Sequence, residues 1–326
     1  MRRDSPAGFL VRLLSAIAAA LACAWAQAQP AKTTRILVGF PPGQATDLVA
    51  RILAERLGPA LSETVIVENR PGQGGSLVLA QLAKLAPDGA ALVLAPLASM
   101  VANPHLYKSV GYDTLKDFEH VALVADLPLL LVSNPSLPVK SLAELIAYAK
   151  ANPDKLTHPS SGNGTLSHLG FEDLKRRAGI TILHAPYQGS PRAMADLIGG
   201  AVQVAMDTVT VTAPHIQSGR MRLLATAYGS RLPAFPDTPT IAEQGFPGFS
   251  LSAWLGIVVP AGTPKARVER LSAELVKIVR LQEIADRYVA LGALPRSMPS
   301  EEFRAFVAAE NARWCAIVKA SGAKVD

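Results

Sequence analysis

Short apolar runs alternate along the chain with longer stretches in which apolar residues recur every three or four positions. Ile36-Leu37-Val38 is a run of strand type, and Leu48, Val49, Ile52, Leu53 and Leu57 follow at helical spacing. The pattern predicts a strand over 35–40 and a helix over 47–57. Between them lies Phe40-Pro41-Pro42-Gly43-Gln44-Ala45-Thr46-Asp47, a strand-to-helix turn with Thr46 or Asp47 expected as N-cap. A second strand at 64–68 runs into the glycine-rich stretch from Asn69 to Ser76. A helix over about 77–85 stops at Pro87-Asp88-Gly89, and a third strand covers 91–95. Strand, loop and helix in turn predict an α/β protein with a parallel sheet.

Residues 96–118 read as irregular. The long apolar segment 121–133 is expected to cross from one domain into a second. Ser141 is the expected cap of a helix ending near Asn152-Pro153-Asp154. The second domain repeats the first. A short strand at 156–158 precedes Pro159-Ser160-Ser161-Gly162-Asn163-Gly164-Thr165 and a helix carrying Leu166, Leu169, Phe171 and Leu174, closed by Gly179. A strand at 180–184 precedes Pro186-Tyr187-Gln188-Gly189-Ser190-Pro191, where Ser190 is expected as N-cap and Pro191 as the first helical residue. A strand at 202–206 closes on Asp207, and the segment 221–228 is expected to return the chain to the first domain. The strand 254–259 and a helix begun by Thr263-Pro264 follow. A last helix starts at Ser300, with Phe303, Phe306, Val307, Trp314, Ile317 and Val318 on one face and Gly322 as its cap. The expected division is 1–28, 29–126, 127–224 and 225–326, the second and fourth segments forming one domain.

The N-terminus changes the picture of where this fold resides. Arg2, Arg3 and Arg12 precede an uncharged Ala- and Leu-rich run that ends in Ala26-Gln27-Ala28, a small-x-small pattern. This is the layout of a cleaved secretory signal over residues 1–28, and the run is short for a membrane span. Lipid attachment at Cys23 ranks below simple cleavage. The only other cysteine is Cys315, so neither an internal disulfide nor a cysteine metal cluster is expected in the mature chain. The formal charge is +6, from 32 basic and 26 acidic residues that are scattered rather than striped. Nucleic acid is not an expected partner, and a mild positive balance suits an anionic solute.

Three loops lead into helices, at Gly43–Asp47, Ser160–Thr165 and Gly189–Pro191, and Gly72–Ser76 is similar. In a parallel sheet such loops lie at the carboxyl ends of the strands, where ligands bind. Each offers backbone N–H groups and the positive end of a helix dipole, with hydroxyls from Thr46, Ser160, Ser161, Thr165 or Ser190. Facing one another across a cleft, they would hold a small molecule with carboxylate groups and would need no arginine. Enzyme signatures are missing: no Gly-x-Ser-x-Gly, no His-Glu-x-x-His and no partnered cysteine. Gly162-Asn163-Gly164-Thr165-Leu166-Ser167 is a near-match to a dinucleotide loop without its acidic partner, and no cofactor or metal is expected. His168 and His184 read as structural. Asp207 reads equally as a cap for the next segment or as an acceptor for an ammonium, an amide or water.

Several stretches in order carry a family resemblance: VGFPPGQATDLVARILAERL, VIVENRPGQGGS, YDTLKDFEHVALV, SSGNGTLSHLG, HAPYQGSPRAMADLIGG, PAGTPKARVERL and the ending KASGAKVD. Together they span nearly the whole mature chain. The sequence resembles the extracytoplasmic solute receptors of tripartite tricarboxylate transporters, the TctC or Bug family. The resemblance implies a two-domain periplasmic binding protein fold, type II-like. Its two mostly parallel sheets would be flanked by helices, with two crossing strands as hinge and the ligand in the cleft between the domains. It implies a monomeric, non-enzymatic periplasmic receptor that passes a carboxylate-bearing solute to a membrane permease; a sensory ligand-presenting protein, and then an exported enzyme acting on a small acid, are the alternatives. The family's ligand residues correspond to Phe40, Gly43, Thr46 and Asp47, then to Ser160, Gly162, Gly164, Thr165 and His168, with Tyr187, Gly189 and Asp207. Gln44, Ala45 and Ser99 complete the expected set. The chain departs from the family where Gln44 replaces a second glycine, where Ala45 replaces Pro or Ser, and at Asp88-Gly89-Ala90-Ala91. Gln44 would either donate to the ligand's carboxylate or narrow the cleft against bulky ones.

Overall fold

The computed structural model describes residues 32–321. The expected signal segment, Cys23 and the Gly322 cap lie outside the described residues. The chain begins with β1 (Thr33–Val38), α1 (Ala45–Leu61) and β2 (Thr64–Asn69). A single 3-10 turn leads to α2 (Ser76–Leu82) and β3 (Ala91–Pro96). The stretch read as irregular contains a π-type turn, Ala98–Ala102, and a one-turn helix α3 (Asn103–Leu106).

Then comes β4 (Phe118–Ser133), which organises the rest. All of its 16 residues but Glu119 are buried, as a strand covered on both faces requires. From Phe118 to Pro128 it pairs antiparallel with β9 (Ser252–Pro260). From Leu129 to Ser133 it pairs instead with β7 (Val204–Thr208) on one side and β8 (Arg222–Thr226) on the other. The change of partners falls at Pro128, which has no N–H to give a ladder.

The first sheet has the order β10-β4-β9-β3-β1-β2, with β10 spanning Leu294–Met298. Strands β1, β2, β3 and β4 run one way, and β9 and β10 run against them. Between β4 and β8 lie, besides β7, α4 (Leu142–Ala151), β5 (Thr157–Ser160), α5 (Leu166–Ala178), β6 (Leu183–Pro186), α6 (Ser190–Ile198) and α7 (Val209–Gln217). Strands β5 and β6 pair parallel, and Gln203 N–H donates to Thr157 O beside them. After β9 the chain closes with α8 (Lys265–Val279), α9 (Gln282–Ala290) and α10 (Ser300–Ser321). The alternation in β4 feeds two cores: Leu129 and Leu131 join the large one, while Leu130 and Val132 pack with Met194, Leu197 and Val209.

Several local expectations shift. The N-cap of α1 is Gln44, not Thr46 or Asp47, and α1 runs on through Pro59 to Leu61. Ser190 is the first residue of α6 and Gly189 is its cap, because the Ser190 hydroxyl is turned to Asp207 instead of the helix. β6 starts at Leu183, three residues later than expected. β8 pairs with Leu130–Ser133 of β4, and just after it Ala227 N–H donates to Leu129 O and its carbonyl accepts Leu251 N–H. Ile317 is 38% exposed, so the aromatic face of α10 is narrower than its spacing implies. Ser141 caps α4 as expected, accepting Glu144 N–H at 3.2 Å, and Gly179 closes α5 with φ 61°.

Candidate functional site

The first loop folds around a buried carboxylate. Asp47 Oδ2 accepts from Gly43 N–H at 2.9 Å and Arg51 Nε at 3.0 Å, and Oδ1 accepts from Asn69 Nδ2 at 2.9 Å. Asn69 also donates to Phe40 O at 2.9 Å, tying both ends of the loop to β2. Burial works against the Asp47 charge, but these donors, Arg51 foremost, outweigh it and hold the carboxyl below its usual range. The loop so fixed presents the first turn of α1, whose N–H groups have no partner inside the helix. Thr46 is 3% exposed, and its hydroxyl reaches the cleft without a hydrogen-bond partner among the described residues.

The second loop is satisfied from within. Thr165 Oγ1 donates to Gly162 O at 2.7 Å and lies 2.9 Å from Ser167 Oγ, which accepts from Ser161 N–H at 3.0 Å. Gly164 N–H donates to His168 Nδ1 at 3.2 Å, and Ser160 Oγ meets His184 Nε2 at 2.7 Å. The rings of His168 and His184 stack at 4.1 Å, His184 and His158 at 4.8 Å, and His158 and Phe171 at 4.0 Å. Burial keeps these imidazoles neutral, pushing His168 down to about 4 and His184 to about 3, and lowering His158 as well. They stack face to face, and among the described residues no cluster of His, Cys, Asp or Glu suits a metal ion.

The third loop closes against the first. Gly189 has φ +120°, and a Cβ there would fall 2.6 Å from Pro41 Cγ, so glycine permits both the backbone and the approach. Ser190 N–H donates to Gln44 Oε1 at 3.2 Å, and Ser190 Oγ donates to Asp207 Oδ2 at 2.7 Å. Tyr107 OH donates across the cleft to Asn163 O at 2.8 Å. Asp207 Oδ1 also accepts Thr208 N–H at 2.7 Å, yet burial dominates and pushes the carboxyl up to about 6.

These contacts enclose two adjoining spaces that share Phe40 and Ser161. The outer cleft, ≈ 540 Å³, is lined by Phe40, Gly162, Tyr187 and Gly189 from the expected set, and by Gln73, Tyr107 and Asn163. The inner chamber, ≈ 40 Å³, is lined by Phe40, Gln44, Ala45, Thr46, Thr165 and Asp207, joined by Ser161, Ser167, Thr208, Leu127 and Leu129. No lysine or arginine lines it. Gly43, Asp47, Ser160, Gly164 and His168 line neither space; Gly43 is exposed, and the other four are buried and hydrogen-bonded within the loops. Ser99 is turned away, donating to Pro96 O and accepting Tyr112 OH on its carbonyl. Ser167, Thr208 and Tyr107 were absent from the expected set. Ser167 and Thr208 each sit at the start of a helix, a position that the loop pattern marks; Tyr107 lies in a stretch without periodicity.

The family model for the tripartite tricarboxylate transporter family receptor, TctC, matches residues 49–323. The chain belongs to this receptor family. Receptors of this kind bind solutes, and several members match along nearly their full length. Protein BugT of Bordetella pertussis is 36% identical over 97% of this chain and 99% of its own. Among solved structures, the periplasmic binding protein BugD superposes with a TM-score of 0.86 at 35% identity, covering 91% of this chain and 99% of that one. A Rhodopseudomonas palustris protein with adipate gives 0.87 at 32% identity, covering 90% and 98%. MatC from the same species, with bound malate, gives 0.82 at 31% identity, covering 89% and 100%. The fold is the two-domain periplasmic binding protein fold of the TctC and Bug receptors.

Proposed function

We propose that the protein is a periplasmic receptor that captures a small carboxylate between its two domains and delivers it to a membrane permease of the tripartite tricarboxylate type. The observation that carries the reading is the convergence of the first turns of α1 and α5 on one buried chamber without a basic side chain. Helix N-termini supply unpaired N–H donors and a positive potential, which suits a carboxylate oxygen. Relatives solved with adipate and malate support that ligand class. The ligand residues are Gln44, Thr46, Thr165 and Asp207 in the chamber and Phe40, Tyr187 and Gly189 at its mouth.

The same proposal takes residues 127–224 as the second domain, with β4 and the segment after β8 as the hinge. The exchange of β4 partners at Pro128 supports that division. A ligand touching both domains favours the closed arrangement in proportion to its contacts with each, and the closed form is the one a permease recognises. Export by a cleaved signal at residues 1–28 and a monomeric, non-catalytic mode of action belong to this reading.

A thermal-shift screen of mono- and dicarboxylates, amino acids and amides tests it, because a ligand of the folded state raises the melting temperature. Stabilisation confined to acids, with the acid recovered unchanged after incubation, is the expected result. Stabilisation by non-acids only, or turnover of the acid, overturns it.

A further inference from the structure

Gln44 occupies the N-cap position of α1, yet its side chain caps nothing in that helix. It crosses the cleft, and Oε1 accepts the backbone N–H of Ser190 at 3.2 Å. A backbone N–H can only donate, so the amide oxygen faces α6 and the NH2 group faces away. The side chain is 7% exposed and forms part of the chamber wall. The first free N–H of a helix is a natural seat for an anionic oxygen. In α6 that seat is filled by a neutral oxygen from the protein's own first domain.

The neighbouring wall is also made of acceptors. Ser190 Oγ passes its proton-donating bond to Asp207, so Gln44, Ser190 and Asp207 form one connected chain from the first domain to the end of β7. Asp207 is 4% exposed and lines the chamber. The first turns of α1 and α5, with the Thr46 hydroxyl, form the donor-rich part of the lining. A ligand with two carboxylates would place the first against those donors. The second would have to evict the Gln44 oxygen from Ser190 and then lie beside the Asp207 carboxylate, a like-charge contact in a buried space. A neutral amide in that place donates to the acceptors and displaces nothing.

We infer that Gln44 sets the ligand class: the chamber takes a short monocarboxylate whose far end is a neutral hydrogen-bond donor, in preference to the matching dicarboxylate. The inference rests on the reading of the chamber as a carboxylate site. The chamber holds ≈ 40 Å³, room for about three waters at about 10–15 Å³ each by the same measure, so the remainder of the ligand extends into the adjoining cleft.

Matched pairs that differ only at one end test this: succinate against succinamate, and glutarate against glutaramate. Affinities are measured by calorimetry at pH 7.5 for the wild type, Gln44→Gly and Gln44→Glu. The expected wild-type result is a preference for the monoamide of at least about tenfold in one or both pairs, in keeping with the cost of juxtaposed like charges. Gln44→Gly frees the Ser190 N–H and reduces that ratio by tenfold or more, whereas Gln44→Glu keeps or enlarges it. The ratio is taken within one protein, so a general loss of folded material does not alter it. A wild type that binds the dicarboxylate equally or more tightly overturns the inference, as does an unchanged ratio in Gln44→Gly; both leave the carboxylate reading intact. Binding of no acid by wild type or variants, together with a negative thermal-shift screen, overturns the carboxylate reading itself and the inference with it.

Discussion

The loops that open α1 and α5 share a sequence grammar of glycine, threonine and a helix start, yet they are built in opposite ways. The first is braced by charge. Asp47 holds Gly43, Arg51 and Asn69 from beneath, which leaves the Thr46 hydroxyl and the Gln44 amide to act outward. The second is neutral and consumes its own polar groups: Thr165 bonds Gly162 and Ser167, and Gly164 bonds His168. A carboxylate held as proposed would meet the free Thr46 hydroxyl on one side of the cleft and, on the other, backbone N–H groups held rigid by a stack of imidazoles. Presenting a group to a ligand and using it to hold the loop are alternatives, and the two domains divide them.

The largest expected effect of breaking this contrast is at Asp47. Asp47→Ala strands Gly43 N–H, Arg51 and Asn69, and should cost about 2–4 kcal/mol in urea unfolding, whereas Asp47→Asn should cost less. A loss below about 1 kcal/mol for the alanine variant would mean that the loop is held by its prolines instead.

The second loop is broken by acid. His168 and His184 are neutral in the folded protein down to about 4 and about 3, but an unfolded histidine gains its proton near the usual 6.5. Their stabilising contribution is thus complete above pH 6.5 and drains away as the pH falls toward 4. For His168, which is 8% exposed, the loss is on the order of 1–3 kcal/mol. Glu172 and Lys175 are the charged groups that face the stack. Asp207 runs the other way: its folded value is raised to about 6 from 3.8, so its contribution grows as the pH falls through that interval. Melting temperature against pH should fall from 6.5 to 4 in the wild type, with a shallower slope in His168→Gln.

A pair of threonine variants sharpens the contrast at about 1 kcal/mol each. Thr46→Val should weaken ligand binding roughly fivefold and leave stability within about 0.5 kcal/mol. Thr165→Val should lower stability by about 1 kcal/mol, because its hydroxyl serves the loop. Calorimetry and urea unfolding on both variants separate the two, and identical profiles would erase the distinction. The smallest effect is at Tyr107, whose OH spans the cleft to Asn163 O. Tyr107→Phe should weaken every ligand by about 0.5–1 kcal/mol without changing the order among them.

Much of the architecture was legible because periodicity carried it. The segment 121–133 was visible as one long apolar strand, and β4 is buried along both of its halves. The helix starts at Ser141 and Leu166 and the stop at Gly179 followed from local chemistry alone. The cap of α1 did not, because Thr46 and Asp47 both have capping side chains. Only the fold shows that Asp47 is needed by Asn69, 22 residues away. Gly189 displaced Ser190 as cap for the same reason, since the serine hydroxyl is claimed by Asp207 across the domain. Helix α9 and strand β10 were not foreseen: α9 buries only Ile284 and Tyr288, too few positions to mark a period. The chamber was half legible. Loops at strand ends pointed to it, but the contact of Gln44 with Ser190 spans 146 residues, which local sequence does not encode, whereas Ser167 is held by Ser161 and Thr165 of its own loop.

The measurement that bears most directly on the clamp is amide hydrogen exchange in the presence and absence of a saturating concentration of the acid that stabilises the protein most. Slowed exchange at the first turn of α1, around Ala45 and Thr46, together with the first turn of α5, around Leu166 and Ser167, is the expected result. Protection at only one of these turns, or at neither while the acid is bound, would contradict capture between the two domains.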